Sequence, residues 1–158
     1  MTSGSVLERS VRIAAPVEEV FAFHLDTRNA ALISPRSMRV LGVEGTFPVV
    51  AGARVVMRLR PAGSPIAMSW RVRIEEVEAP ARIVDVAERS PFASWRHEHL
   101  FRSAGAGACE MTDRLEYRLP GGPVGRLADR LLVRRRLERA FAERHRLTRE
   151  LLERAAGA

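Results

Sequence analysis

Hydrophobic and polar residues alternate along seven segments of the chain with the period of two that is typical of a β-strand. The alternation is sharp in WRHEHLF, where Trp95, Phe101 and two histidines share one face. Pro and Gly residues separate the segments, as expected for turns. The predicted strands cover residues 6–13, 38–43, 53–60, 65–78, 81–88, 91–103 and 108–120.

Helical patterns follow the first strand and occupy the end of the chain. Pro16 at a first helical position, followed by acidic residues, predicts a helix through about His24. We expect His24 to interact, as a basic residue, with the C-terminal end of this helix dipole. Asp26 is suited to cap a second short helix. A long helix is predicted from about residue 123 to 154.

The long terminal helix carries two apolar stripes on nearly opposite sides. One stripe is Val124, Leu127, Ala128 and Leu131; the other is Val133, Leu137, Ala140, Leu147 and Leu151. One straight helix on one surface needs a single stripe. We therefore expect either a bend near Leu132 or two halves that pack on different surfaces, such as the sheet and a partner subunit.

The order of elements is a strand, two short helices, six strands and one long helix. Consecutive hairpins imply an antiparallel sheet. The predicted fold class is therefore α+β, a grip in which the helix lies in the curve of the sheet.

Length and composition favour one globular domain over residues 1–158. Of the residues, 46% are apolar and 28% are charged. No apolar run is long enough to cross a membrane, and the first residues do not resemble a signal peptide. The lone Cys109 cannot form an internal disulfide and is expected to be a small core residue, so we expect a cytoplasmic protein.

The net charge of +7 does not indicate a nucleic-acid partner. All the basic residues are arginines, and many of them alternate with acidic residues along the terminal helix, a pattern typical of a solvated helix surface. No aromatic stacking platform or recognised nucleic-acid motif accompanies the charge. We predict no nucleic-acid partner.

The alternation of faces along adjacent strands predicts a partner for the two histidines of WRHEHLF. His97 and His99 share a face with apolar residues, and so does Asp113 on the next predicted strand. If both sets face inward across a turn near residues 105–107, Asp113 lies directly opposite His97 or His99.

Three roles fit this trio. Two histidines and a carboxylate are a known metal set, but nothing else ligand-like lies nearby in sequence, so no metal is predicted. A His–Asp pair could transfer protons, which makes His97, His99 and Asp113 the candidate catalytic residues. The favoured interpretation is structural: the polar groups satisfy one another or orient a bound molecule.

The residues themselves resemble a known family. The segment RIAAPVEEVFAFHLD (12–26) is similar to the opening of the START-like, or SRPBCC, superfamily, which includes polyketide aromatase/cyclases and lipid-transfer domains. WRHEHLF, MTDRLEY (111–117), Pro120 with Gly125, and RRRLERAFAERH (134–145) resemble an uncharacterised bacterial branch. The resemblance spans about residues 5–150.

What the resemblance implies is a helix-grip fold: a curved seven-stranded antiparallel sheet around the terminal helix, with a cavity between them. We expect a carrier or sensor for a small hydrophobic or aromatic molecule, without a cofactor. The alternatives are an aromatase/cyclase-like enzyme and a protein-interaction module or homodimer formed through the basic helix. The predicted ligand-binding residues are Trp70, Trp95, His97, His99, Phe101, Met111, Asp113, Leu115 and Tyr117.

Overall fold

A computed structural model describes residues 4–157. The strands are β1 (Ser5–Ile13), β2 (Met38–Glu44), β3 (Arg54–Pro61), β4 (Met68–Glu78), β5 (Arg82–Arg89), β6 (Ser94–Ser103) and β7 (Cys109–Arg118). The helices are α1 (Val17–Leu25), a 3-10 helix (Thr27–Ala31), α2 (Gly122–Ala128), a π-helical turn (Asp129–Val133) and α3 (Arg134–Ala156). The predicted order of elements is confirmed.

The seven strands form one antiparallel sheet in the order β1-β7-β6-β5-β4-β3-β2. The hairpins from β2 to β7 pair in sequence, and β1 closes onto β7. The sheet is curled into a half-barrel around the C-terminal helix, which confirms the predicted α+β helix-grip fold.

The connection after β1 follows local signals. Pro16, the predicted first helical residue, is the N-cap of α1, so the helix begins one residue later than predicted. The side chain of Asp26 accepts a hydrogen bond from the backbone N–H of Arg28, so Asp26 caps the second short helix as predicted. That helix is a single 3-10 segment.

The terminal helix is interrupted where the two stripes change sides. The π-helical turn spans Leu132, the position at which the sequence predicted a bend or a change of packing surface. Before and within the turn, the first stripe is exposed: Val124 is 75% exposed and Leu131 is 67% exposed. α3 then packs against β1.

The second predicted stripe is wrong in detail. The buried residues of α3 are Phe141, His145, Thr148 and Leu152, whereas Leu151 is exposed. The sheet contacts a face rotated from the most hydrophobic one, because His145 on that face is hydrogen-bonded to Asp113, while the hydroxyl of Thr148 donates to the carbonyl oxygen of Arg144 within the helix. Apolar residues alone therefore mislocated the packing face.

The inward faces of the strands form the core. Along β7, Cys109, Met111, Asp113, Leu115 and Tyr117 are all buried and alternate with half-buried or exposed residues, as predicted. No helix within residues 4–157 is long and apolar enough to cross a membrane.

Candidate functional site

The pairing of β6 with β7 brings the predicted trio together. His99 lies directly opposite Asp113, and His97 lies opposite Leu115. This register is one of the two that strand parity allowed, and it confirms that Asp113 points inward. Asp113 is fully buried.

The carboxylate of Asp113 contacts three imidazoles. Its Oδ1 atom lies 2.8 Å from Nδ1 of His99 and 3.2 Å from Nε2 of His97. Its Oδ2 atom accepts a hydrogen bond of 2.7 Å from Nε2 of His145. A buried carboxylate is costly unless it is paired in this way. Asp113 is thus the centre of a buried polar cluster.

His145 reaches this cluster from α3 and was missed by the sequence reasoning. It is 2% exposed and lies between Phe141 and Thr148 on the buried face of the helix. A usable signal was present, since a histidine four residues after a phenylalanine shares its helix face. His145 ties the terminal helix to the sheet through Asp113.

Asp85 of β5 is a second acidic residue that the sequence reasoning missed. It lies directly opposite His97 across β5 and β6. Its Oδ2 atom is 3.3 Å from Nε2 of His99, with hydrogen-bond geometry, and 3.8 Å from Nδ1 of His97. Parity would have placed Asp85 on the same face as the buried Ile83. The two histidines therefore lie between two carboxylates.

The polar cluster shifts the pKa values of His97 and His99 in opposite directions. Burial, together with the neighbouring charge of His99, lowers the pKa of His97. Burial also acts to lower the pKa of His99, but Asp113 and Asp85 outweigh it and raise that pKa to about 9. For Asp113 the histidines outweigh burial and hold its pKa well below the usual value. Asp113 is therefore ionised and His99 carries the compensating proton at neutral pH.

His24 contacts the C-terminal end of α1, as predicted, but as a neutral ring. From the last turn, its Nδ1 atom donates a 2.7 Å hydrogen bond to the carbonyl oxygen of Val20. Burial, with the charges of His99 and Arg144, lowers its pKa to about 3, so the interaction is that of an uncharged imidazole. The side chain also lines a cavity beneath the sheet.

A cavity of about 830 Å³ lies between the sheet, α1 and α3. Its apolar lining includes Phe23, Ile33, Val49, Met57, Leu59, Met68, Trp70, Val72, Ile74, Ile83, Phe92, Trp95, Leu137 and Phe141. Its polar lining includes His24, Asp85, His97 and His99, together with charged residues such as Arg36, Arg136, Arg139, Glu143 and Arg144. An apolar cavity with converging polar groups is typical of a small-molecule site.

The nine predicted ligand-binding residues fall into two groups. Trp70, Trp95, His97 and His99 line the cavity. The other five are buried in the packed interior and do not line it: Phe101, Met111, Asp113, Leu115 and Tyr117. Asp113 thus lies behind the histidines, on the side away from the cavity.

Tyr117 belongs to a separate polar group near the start of the terminal helix. Its hydroxyl donates a 2.7 Å hydrogen bond to Oδ1 of the buried Asp129, whose Oδ2 accepts one from the hydroxyl of Ser5 at 2.5 Å. Burial and the hydrogen bond to Asp129 raise the pKa of Tyr117. Cys109 is buried as a small core residue, as predicted.

Comparison with known proteins identifies a family and a fold. The sequence model of the family described as polyketide cyclase/dehydrase and lipid transport matches residues 6–153. No curated protein sequence matches the chain.

Several solved structures share the fold. The di-domain ARO/CYC StfQ from the steffimycin biosynthetic pathway is 14% identical with a TM-score of 0.78; the match covers 99% of this chain and 53% of that one, so this chain spans about half of it. The Zhui aromatase/cyclase from Streptomyces sp. R1128 is 19% identical with a TM-score of 0.76, over 96% and 95% of the two chains. Norcoclaurine synthase from Thalictrum flavum is 12% identical with a TM-score of 0.67, over 93% and 85%.

Proposed function

Because the chain belongs to the polyketide cyclase/dehydrase and lipid transport family, we propose that it is a carrier or sensor for a small hydrophobic or aromatic molecule. The family and the fold fit a domain that binds hydrophobic ligands. The observation that carries the proposal is the cavity of about 830 Å³, which is large enough for a drug-sized molecule.

The cavity wall favours a flat apolar ligand with a polar edge. Trp70 and Trp95 lie against each other with ring centroids 4.9 Å apart, and Phe92 packs on both rings. Such rings offer large, rigid apolar surfaces for a planar molecule. His97 and His99 line the cavity in the same sheet, so a polar group of the ligand would meet their imidazoles.

Intrinsic fluorescence gives a direct test, because the chain has two tryptophans and both line the cavity. Naphthalene, flavone and fatty-acid probes should be titrated into the chelator-treated protein while tryptophan emission is followed. We expect a saturable change with at least one probe class. Native mass spectrometry of the protein as purified should detect any molecule that it retains.

A matched pair of helix variants locates the binding. Ala140 lines the cavity, whereas Ala155 is exposed near the end of α3. Ala140→Phe should weaken probe binding roughly tenfold or more, since each ~1.4 kcal/mol of lost interaction is a factor of ten, and Ala155→Phe should leave it unchanged. A lack of saturable binding to any probe, or equal affinity in the two variants, would contradict the proposal.

A catalytic role is the second candidate, favoured by one observation. His97 and His99 line the cavity while Asp113 contacts the ring nitrogens on their far side, an arrangement that fixes each imidazole. If a bound molecule is converted, His97→Gln should abolish turnover and leave binding within about twofold. Unchanged turnover in both His97→Gln and His99→Gln would end this interpretation.

A further inference from the structure

Three potential metal ligands converge on the cavity wall. Asp85, His97 and His99 each offer one ligand atom, and these atoms all lie within 4.8 Å of one another. Among residues 4–157 they are the only such group of three. All three side chains line the cavity. Strand register creates the group, since Asp85 lies opposite His97 and His99 follows two residues later on the same face.

We propose that Asp85, His97 and His99 bind a divalent first-row transition metal ion. Two imidazoles and one carboxylate suit Zn²⁺, Fe²⁺ and Co²⁺, and three protein ligands leave coordination positions open. These positions face the cavity. An organic ligand with a carboxylate, phenolate or carbonyl oxygen would complete the coordination there.

The two distances from Asp85 to the imidazoles are close to the spacing that an ion requires, and the two imidazole ligand atoms lie within 4.8 Å of each other. With bonds of about 2.1 Å and tetrahedral angles, neighbouring ligand atoms lie about 3.4 Å apart. Oδ2 of Asp85 is 3.3 Å from Nε2 of His99, which fits without movement. The 3.8 Å to Nδ1 of His97 requires a shift of a few tenths of an ångström, within the reach of small side-chain rotations.

The carboxylate of Asp113 behind the two histidines is a feature typical of metal sites. Each imidazole turns one nitrogen to Asp85 and the other to Asp113. A histidine that binds a metal characteristically has its second nitrogen held by a carboxylate, which fixes the tautomer and the ring orientation. Asp113 places one carboxylate oxygen 3.2 Å from His97 Nε2 and 2.8 Å from His99 Nδ1, and a hydrogen bond from His145 holds the other oxygen.

The charges at the site also match a dication. Two carboxylates flank the two imidazoles; His99 carries one proton at neutral pH, and once a metal ion displaces that proton the group is doubly negative. A divalent ion bound between Asp85 and the two rings neutralises that charge. No third ligand lies near His97 and His99 in sequence because Asp85 is supplied by a different strand.

Metal titration of the tag-free, chelator-treated full chain, with no organic ligand present, tests the proposal. We expect calorimetry with Zn²⁺ and with Co²⁺ to give one ion per chain, and bound ion to raise the melting temperature. The visible spectrum of bound Co²⁺ should indicate nitrogen and oxygen ligands. These readouts are independent of any enzymatic activity and of the carrier function.

Variants separate this site from adventitious binding. Asp85→Asn, His97→Gln and His99→Gln should each abolish one-to-one binding, and Asp113→Asn should weaken it roughly 10–100-fold. Glu98→Gln is the matched control, because Glu98 lies between the two histidines in sequence but on the opposite face of β6. This variant should bind the metal ion with the affinity of the wild type.

Asp85→Asn is the decisive variant, since Asp85 is only half-buried and the substitution preserves its shape. The absence of stoichiometric binding to the wild type would overturn the proposal, as would equal affinity in Asp85→Asn. If that happened while the tryptophan titration still detected a bound probe, the metal site would be refuted and the carrier function would stand.

Discussion

Asp113 lies directly opposite His99 across β6 and β7, with its Oδ1 atom 2.8 Å from Nδ1 of the imidazole. The same carboxylate contacts His97 and is hydrogen-bonded to His145. One buried group thus links two sheet residues to the terminal helix, in addition to the apolar contacts that Phe141 makes with the sheet.

Removal of this carboxylate should therefore destabilise the fold strongly. Asp113→Ala leaves the proton of His99 without its closest partner in the interior, and breaking a buried pair costs about 3–5 kcal/mol. Urea denaturation at neutral pH measures the loss. Glu116 is partly exposed on the same strand, so Glu116→Ala should change the free energy of unfolding by no more than about 0.5 kcal/mol. Equal effects of the two variants would refute the central role of Asp113.

The sequence predicted Asp113 but not its other partners, for physical reasons. Parity determines which residues of two adjacent strands share a face, so a short turn sufficed to pair Asp113 with the histidines. Pairing of β5 with β6 ends at Val86 and Arg96, well short of the strand ends, so no tight turn set that register and Asp85 was overlooked. His145 depends on how the helix rotates against the sheet, which apolar stripes alone misjudged.

The fold was more predictable than the cavity surface. Alternation and turn residues determine the order of strands and helices, which the structure reproduces. Alternation does not distinguish a side chain that faces open cavity from one covered by another layer. Trp95 and Tyr117 are cross-strand neighbours on the same inward face, yet only Trp95 lines the cavity.

Ionisation of Tyr117 should lower the stability of the folded protein at alkaline pH. Its pKa is raised in the folded protein by burial and the hydrogen bond to Asp129, so the folded state retains the proton that the unfolded chain releases near pH 10. The stability from this group is fully present below pH 10 and is lost as the pH rises above it. Tyr117 is the only tyrosine, so tyrosinate absorbance in the folded protein should report its titration alone.

Tyr117→Phe provides the control for that titration. At neutral pH the variant should lose about 1.5–3 kcal/mol, because a hydrogen bond to a charged carboxylate is removed. The difference in stability between wild type and variant should shrink above pH 10, which also separates Tyr117 from the buried thiol of Cys109. A tyrosinate titration at the ordinary pKa in folded protein would contradict the prediction.

The buried face of α3 and the exposed first stripe should differ sharply in their contribution to stability. Phe141 is 6% exposed and contacts the ring of His97 edge-on, so Phe141→Ala should cost about 3–5 kcal/mol. Leu131 is mostly exposed, so Leu131→Gln should change stability by no more than about 0.5 kcal/mol. A large, concentration-dependent loss in Leu131→Gln would instead indicate that this stripe is covered by a second copy in solution.

Gly125 should be intolerant of even one added methyl group. In an open helix, Gly→Ala stabilises by about 0.5–1 kcal/mol. A Cβ atom here would overlap the carbonyl oxygen of Pro120 and lie 3.1 Å from its carbonyl carbon, and backbone atoms cannot move aside cheaply. The overlap outweighs the helix preference, so Gly125→Ala should lower the free energy of unfolding by about 1–3 kcal/mol.

Gly42 of β2 is the matched control, since a Cβ atom there meets nothing within 4 Å. Gly42→Ala should leave stability unchanged or raise it by up to about 1 kcal/mol. Thermal and urea denaturation of the two variants measures the difference. If Gly125→Ala were as stable as Gly42→Ala, the turn from β7 into α2 would not be as tight as the Pro120 contact implies, and the start of the terminal helix would have to lie further from the sheet.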